Sequence, residues 1–203
     1  RALADGENTV KNFRELSTTA ERLVEVAEGL IQLHGYNGFS YDDLSRELGI
    51  KKPSIHHHFA TKAELGAVVA QRYTHVFMTA LADIDQRHAG APARLRACVA
   101  LFVKTYAVDK RLCLCGMLGA ETDALPEAVN AQAKRFFEQA TAWLTQVFDT
   151  GRRHGELAFA ATARTQALTF LSALEGAMLV GRGLGSDSVP GDVGRALVAS
   201  LLP

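Results

Sequence analysis

The stretch FSYDDLSRELGIKKPSIHHHFATKAEL, Phe39 to Leu65, decides how this chain is read. It opens with Ser40 three residues before Asp43. That is the pattern of a helix N-terminus in which the hydroxyl accepts from a backbone N–H and the acid reaches back. A short helix, Tyr41 to Leu48, runs to Gly49, a residue suited to the tight turn that ends a helix. A second short helix, Lys52 to Phe59, follows. Thr61 with Glu64 then repeats the start signal and opens a third. Two short helices around a glycine turn are the arrangement that lays the second helix in a DNA major groove.

Charge agrees with that arrangement. Between Leu48 and Ala63 stand Lys51, Lys52 and Lys62 and no acid, while Asp42, Asp43 and Glu47 cluster on the preceding helix. Phosphate contacts need positive groups at the docking edge. Lys51, Lys52, Pro53 and Ser54 lead the second helix, where base-edge contacts arise. Pro53 is tolerated there because first-turn N–H groups have no partner within the helix. His56, His57 and His58 are adjacent, so on a helix they point about 100° apart and cannot share a metal. His56 and His57 are expected to face DNA and His58 to pack beside Phe59.

Outward from this segment, helical periodicity covers nearly everything. Ala20, Leu23, Val24, Ala27, Leu30, Ile31 and His34 follow the i, i+3, i+4, i+7 rule, preceded by Thr18 and Glu21 as a further start signal. Leu65 to Ile84, Leu95 to Tyr106 and Val129 to Phe148 carry three more apolar stripes. No period-2 alternation is sustained, so the fold is expected to be all-α. Gly35 to Gly38, Ala89 to Pro92, Leu125-Pro126, and Gly151 to Gly155 are the breaks. Gly181 to Gly191 reads as a loop before a last helix at about 192–202. The expected division is an N-terminal extension (1–17), a three-helix helix-turn-helix head (18–65) and a larger helical body (66–203).

Composition limits the alternatives. The chain has 203 residues, 48% of them hydrophobic, and a formal net charge of zero. A sizeable core is affordable, and a protein coated in basic charge is excluded. Three cysteines, Cys98, Cys113 and Cys115, make no disulfide framework and fit a reducing compartment. No run approaches the roughly 18 uncharged apolar residues of a membrane span. Arg1 to Val10 is polar, without the apolar core of a signal peptide. A cytoplasmic location is expected. No nucleophile–base set, phosphate loop, metal spacing or cofactor motif stands out, so neither an enzyme nor a cofactor is expected.

The head resembles the DNA-binding domain of the TetR/AcrR family of bacterial transcriptional regulators. The resemblance rests on Gly38-Phe39, Leu44-Ser45, Gly49-Ile50, Ile55-His56-His57-His58-Phe59 and Lys62-Ala63-Glu64-Leu65, and covers roughly Thr18 to Tyr73. It implies contacts to DNA from Thr18, Tyr41, Lys51, Lys52, Pro53, Ser54, His56, His57 and Lys62. Two positions depart from the family pattern. The usual phosphate-contacting tyrosine is His56, whose charge changes with pH near neutrality. The usual threonine opening the second helix is Tyr41, whose hydroxyl can also reach a phosphate.

For the body the resemblance implies a homodimer on a palindromic double-stranded DNA operator, released by a small-molecule inducer. The expected seam is the helices at about 161–182 and 192–202. Leu168, Phe170, Leu171, Leu174, Met178, Leu179 and Val180 cover too much of a helix for one core face. Expected lining residues of a ligand pocket are Phe77, Leu81, Phe102, Tyr106, Met117, Phe137, Trp143, Phe170 and Met178. Aromatics at helical spacing are more often ordinary core, so about half are expected at a ligand. Thr105, Gln139, Thr169, Ser172 and Glu175 are the polar candidates. Glu175, a lone acid in an apolar run, faces solvent at the seam, bonds across it, or lines the pocket. Cys113 and Cys115 follow Lys110 and Arg111, which would lower a thiol pKa, so a redox- or electrophile-sensing repressor is one alternative. A DNA binder of this fold without an inducer is another.

Overall fold

The computed structural model describes residues 10–203, so most of the polar Arg1–Val10 stretch lies outside the described residues. Among those described there are nine α-helices and no strand. They are α1 (Thr18–His34), α2 (Tyr41–Leu48), α3 (Lys52–His58), α4 (Lys62–Arg87), α5 (Ala91–Tyr106), α6 (Leu114–Ala120), α7 (Glu127–Arg153), α8 (Ala163–Leu184) and α9 (Val189–Ala199). Short 3-10 turns stand at Phe13–Glu15 and Thr122–Ala124.

The helix starts follow local chemistry, with one correction. Ser40 accepts from the Asp43 N–H, and the Asp43 carboxylate accepts in return from the Ser40 N–H. Thr61 accepts from the Glu64 N–H, but Glu64 reaches the N–H of Ala60 instead of Thr61. The expected start at Thr18 is off by one: Ser17 caps α1 through the Ala20 N–H, and Thr18 is its first helical residue.

The glycine-rich segment 181–191 is mostly helix. α8 continues to Leu184 and stops at Gly185, which is left-handed at φ 68°; α9 starts at Val189 with Pro190 in its first turn. Glycine lowers helix propensity by only about 1 kcal/mol, which packing readily outweighs. The last helix therefore lies at 189–199 instead of 192–202. α6, which carries Cys115, has no periodic signature because it is so short.

Part of the expected N-terminal extension is docked. Phe13 donates its N–H to the Gln71 side chain, and Lys11 bonds the His58 carbonyl and pairs with Glu64 at 3.1 Å. The head core is built from Leu23, Val24, Ala27, Ile31, Leu44, Ile55, Phe59, Leu65 and Val68, all fully buried. α4, about 39 Å long at 1.5 Å per residue, runs from the head into the body, where it packs against α7. Tyr73, Phe77, Phe102, Phe136 and Phe137 form a chain of ring contacts along it.

α8 packs its inner face (Ala167, Phe170, Leu171, Leu174 and Met178) against α7 and α9. It is the one described helix long and apolar enough, by length and composition alone, to cross a membrane. Its opposite stripe is uncovered: Leu168, Leu179, Val180 and Leu184 are 43%, 61%, 53% and 71% exposed. A Cβ built on Gly176 or Gly183 meets nothing within 4 Å.

Head and body are tied by two charged side chains. The Glu121 carboxylate accepts from the N–H groups of Tyr36 and Asn37, at 2.6 and 3.3 Å, where α1 turns toward α2. Arg182 of α8 donates to the carbonyls of Gln32 (2.8 Å) and Lys110 (2.7 Å) and to that of Leu33. The Gln32 and Leu33 carbonyls belong to the last turn of α1, where a cation is favoured, and the Lys110 carbonyl lies in the loop after α5.

Candidate nucleic-acid interface and ligand cavity

α2 and α3 meet at Gly49, left-handed at φ 67°, and the Ser45 hydroxyl closes the corner by donating to the Ile50 carbonyl at 2.5 Å. α3 is held by Ile55 alone among its own residues, with Phe59 just beyond its end. Everything else on its outer side is open: Lys51, Lys52, Pro53, Ser54, His56 and His57 are all exposed, and so is Thr18. This exposed set carries Lys51 and Lys52 and no acid.

Of the residues expected at DNA, Lys52, His56 and Tyr41 are partly engaged within the chain. Lys52 pairs with Asp42 at 2.6 Å, an exposed pair that solvent screens. The His56 ring packs tilted against the Tyr41 ring at 4.9 Å, and its Nδ1 lies 3.2 Å from the Ala60 carbonyl. A carbonyl only accepts, so Nδ1 carries the proton there. Nε2 is then an acceptor until the ring is protonated, and only the imidazolium can donate to a phosphate. The Tyr41 hydroxyl is half-buried and donates to the Phe59 carbonyl at 3.0 Å; burial raises its pKa. Its proton is thus committed inside the head.

Lys62 differs most from expectation. Its ammonium turns inward, donates to the Phe39 carbonyl at 2.5 Å and sits over the rings of Tyr36 and Phe39. Desolvation lowers its pKa. The aromatic pair and a free carbonyl at the α1–α2 corner draw it in. That attraction comes from residues more than 20 positions away, which charge counting along the sequence cannot detect.

In the body, a half-open cavity of about 320 Å³ lies between α1, α4, α5 and the loop after α5. Of the nine candidate lining residues, about half of which are expected at a ligand, Phe77 lines it. The structure places the other eight elsewhere. Leu81, Phe102, Tyr106, Phe170 and Met178 are buried core, with the Tyr106 hydroxyl donating to the Ser186 carbonyl. Met117 packs on the core. Phe137 lines a separate hollow with Gly119 and Lys134, and Trp143 donates to Asp85 at 2.8 Å. Periodicity marks the apolar face of each helix, but whether that face meets a void or a neighbour depends on how the helices cross.

Thr105, a polar candidate in the sequence, lines the cavity, and so do Glu28, Gln32, Lys104 and Arg111, which are not among the expected ligand residues. A charged residue beside apolar ones on α1 or α5 carried no distinguishing signal. Arg111 was legible only as a cation near cysteines.

That reading of the cysteines is corrected. Cys113 and Cys115 are buried, and burial together with the nearby Glu175 carboxylate pushes both thiols well above their ordinary range. Lys110 points away and pairs with Asp187 at 2.8 Å, and Arg111 turns to the cavity. Neither cation stabilises a thiolate, so the basis for a reactive thiol is gone. Among the described residues no cluster of three or more His, Cys, Asp or Glu is arranged to hold a metal.

Glu175 does not line the cavity. Its carboxyl lies over Gly116 of α6, and Oε1 is buried without a hydrogen-bond partner. Burial raises its pKa from 4.5 to about 7, partly offset by the Cys113 thiol. An acid with a raised folded-state pKa favours the folded state below the unfolded value, and that contribution is lost as pH rises to the folded value. The chain is therefore expected to lose stability between about pH 4.5 and 7 through this group. Glu175→Gln should stabilise the protein at pH 8 by about 1–3 kcal/mol and much less at pH 5, read from urea midpoints at both pH values. An equal effect at the two would contradict the assignment.

Residues 23–68 match the family model described as bacterial regulatory proteins, tetR family, and residues 91–197 match the tetracyclin repressor-like C-terminal domain. The chain is 29% identical over 148 residues to the transcriptional regulator AcuR of Cereibacter sphaeroides, covering 71% of this chain and 68% of that protein. It is similar in structure to a TetR-family regulator from Agrobacterium tumefaciens. The TM-score is 0.88 at 30% identity, over 92% of this chain and 98% of the other. A TetR regulator from Legionella pneumophila gives 0.82 at 31% identity, over 92% and 99%.

Proposed function

The chain belongs to the TetR family of bacterial regulatory proteins, DNA-binding transcriptional regulators with a helix-turn-helix head. From that premise we propose that it is a cytoplasmic repressor that binds a palindromic operator as a homodimer and leaves it when a small molecule fills the α1–α4–α5 cavity.

The observation that carries this reading is α3: anchored by Ile55, it turns Lys51 to Ser54, His56 and His57 to solvent. Residues 18–65 form the reading head and 66–203 the dimerising, ligand-binding body. Two such heads reach successive major grooves, about 34–36 Å apart, only when the dimer holds them at that spacing. The uncovered stripe of α8 with neighbouring α9 supplies the seam, and exposed apolar area of this kind is typical of partner surfaces.

Induction follows from shared parts. α1 contributes Glu28 and Gln32 to the cavity wall, and the same helix carries the head. A ligand that fits the cavity better when α1 is tilted lowers operator affinity by linkage. The Gln32 carbonyl, held by Arg182 and by the Leu112 N–H, joins that wall to α8. A body without a ligand-accessible void would have favoured the inducer-free reading; the cavity favours induction.

The test is an operator obtained by selection from random duplexes. Lys51→Ala is expected to weaken operator binding and to lower the slope of log affinity against log salt by about 2, one phosphate contact per subunit. The melting temperature should hold, since Lys51 is exposed. An unchanged slope and affinity in Lys51→Ala and in Ser54→Glu would refute the interface.

A further inference from the structure

We infer that the α1–α4–α5 cavity takes an organic monocarboxylate, with its carboxylate on Arg111 and its apolar body against Phe77, Val76 and Leu101. The inference rests on the proposal that this cavity is the inducer site, and it names the chemical class.

Among the described residues Arg111 is a cation without an ion-pair or hydrogen-bond partner for its side chain. Its Nε is buried with no hydrogen bond. It takes part in no ion pair among the described residues, although Glu28 shares the same wall. Glu28 is instead paired with Arg72 at 2.8 Å. A guanidinium left half-buried and unpaired is unfavourable unless something completes it.

The chain goes to some length to hold it there. Arg111 follows Asp109 and Lys110, both left-handed at φ 52° and 54°. Two such non-glycine residues in succession are strained, and they persist only where surroundings impose them. Arg182 bonds the Lys110 carbonyl, the Lys110 ammonium pairs with Asp187, and the Leu112 N–H donates to the Gln32 carbonyl. On the other side, the guanidinium lies 3.2 Å from where a Cβ on Gly29 would stand, so α1 is bare where the group packs.

The cavity's remaining chemistry narrows the class. Its walls are mostly apolar, with Gln32 and Thr105 as neutral polar groups and Lys104 as a second cation. Glu28 and Arg72 neutralise each other at this wall, which leaves the half-buried Arg111 as the cation that an anion must complete. A guanidinium fork also matches the two oxygens of a carboxylate. A volume of about 320 Å³ suits a short-chain or single-ring acid.

The test compares acids with their uncharged isosteres. Butyrate, hexanoate, octanoate, benzoate and phenylacetate are titrated calorimetrically against the full chain, each beside its primary amide. At least one acid is expected to bind about 10- to 100-fold more tightly than its amide. Arg111→Met is expected to abolish that preference while leaving amide binding in place. Val76→Asp, at a cavity-lining position 54% exposed and tolerant of charge, should weaken the acid about 5-fold and not the amide. It carries the test if Arg111→Met does not fold. Acids that fail to bind, amides that bind equally, or a preference that survives both substitutions would overturn the assignment. Operator release is followed in parallel. An acid that binds through Arg111 without releasing DNA upholds this site and refutes induction. A neutral compound that releases DNA from the same cavity does the reverse.

Discussion

Leu179→Glu with Leu184→Glu is expected to give a folded monomer that no longer holds its operator. These side chains are 61% and 71% exposed on the outer stripe of α8, while its inner residues Leu174 and Met178 are fully buried. The substitutions leave the subunit core untouched, and the helix content should be unchanged by circular dichroism. In a twofold dimer each substitution occurs twice, so four carboxylates enter the seam. An unpaired charge buried at an interface costs several kcal/mol, so dimer affinity should fall by more than about a thousandfold. The monomer keeps one α3 and reads one half-site. Operator affinity should therefore drop by at least about a hundredfold, since the second head no longer adds its contacts. Light scattering behind size exclusion reads the mass, and fluorescence anisotropy reads the DNA. A variant that stays dimeric would place the seam elsewhere. A monomer that binds the palindrome as tightly as the parent would remove the need for a dimer.

Gly38→Ala is expected to destabilise the head by about 2–4 kcal/mol and to take operator binding with it. A Cβ at Gly38 would stand 2.0 Å from the carbonyl oxygen of His34 and 2.9 Å from its Cβ. The oxygen belongs to backbone at the end of α1, so no rotamer change relieves the contact; the corner between α1 and α2 must open. That corner also holds Tyr36 and Phe39, the inward Lys62 ammonium and the Glu121 clamp. Opening it loosens the joint between the reading head and the body. Urea denaturation gives the stability change, and the operator assay gives the consequence. Full stability in this variant would mean the chain passes the corner by another route.

The joint shows where local pattern stops being informative. Ser40 with Asp43, Gly49, and the spacing of Leu44 and Ile55 are legible in the sequence because each acts on neighbours within a turn or two. A cap, a left-handed turn and an apolar stripe are local events, and from them the all-helical class, the helix-turn-helix and the exposed face of α3 can be read in order. The stripe of α8 is legible for the same reason: more apolar surface than one core face can use.

Destinations of individual polar side chains were not legible. Arg111 looked like a cation beside thiols, yet it faces a cavity, and Cys113 and Cys115 are shielded from it by burial. Lys62 looked like a phosphate ligand, yet its ammonium lies over two rings of the α1–α2 corner. Of nine candidate lining residues, about half of which are expected at a ligand, Phe77 reached the cavity while others closed on neighbouring helices. Each outcome depends on elements far apart along the chain, as with Arg182 and Gln32, 150 positions distant. Short-range periodicity says which face of a helix leaves water. Where two faces meet, whether a gap remains, and which charge is left unpaired beside it emerge only when all the helices are packed together.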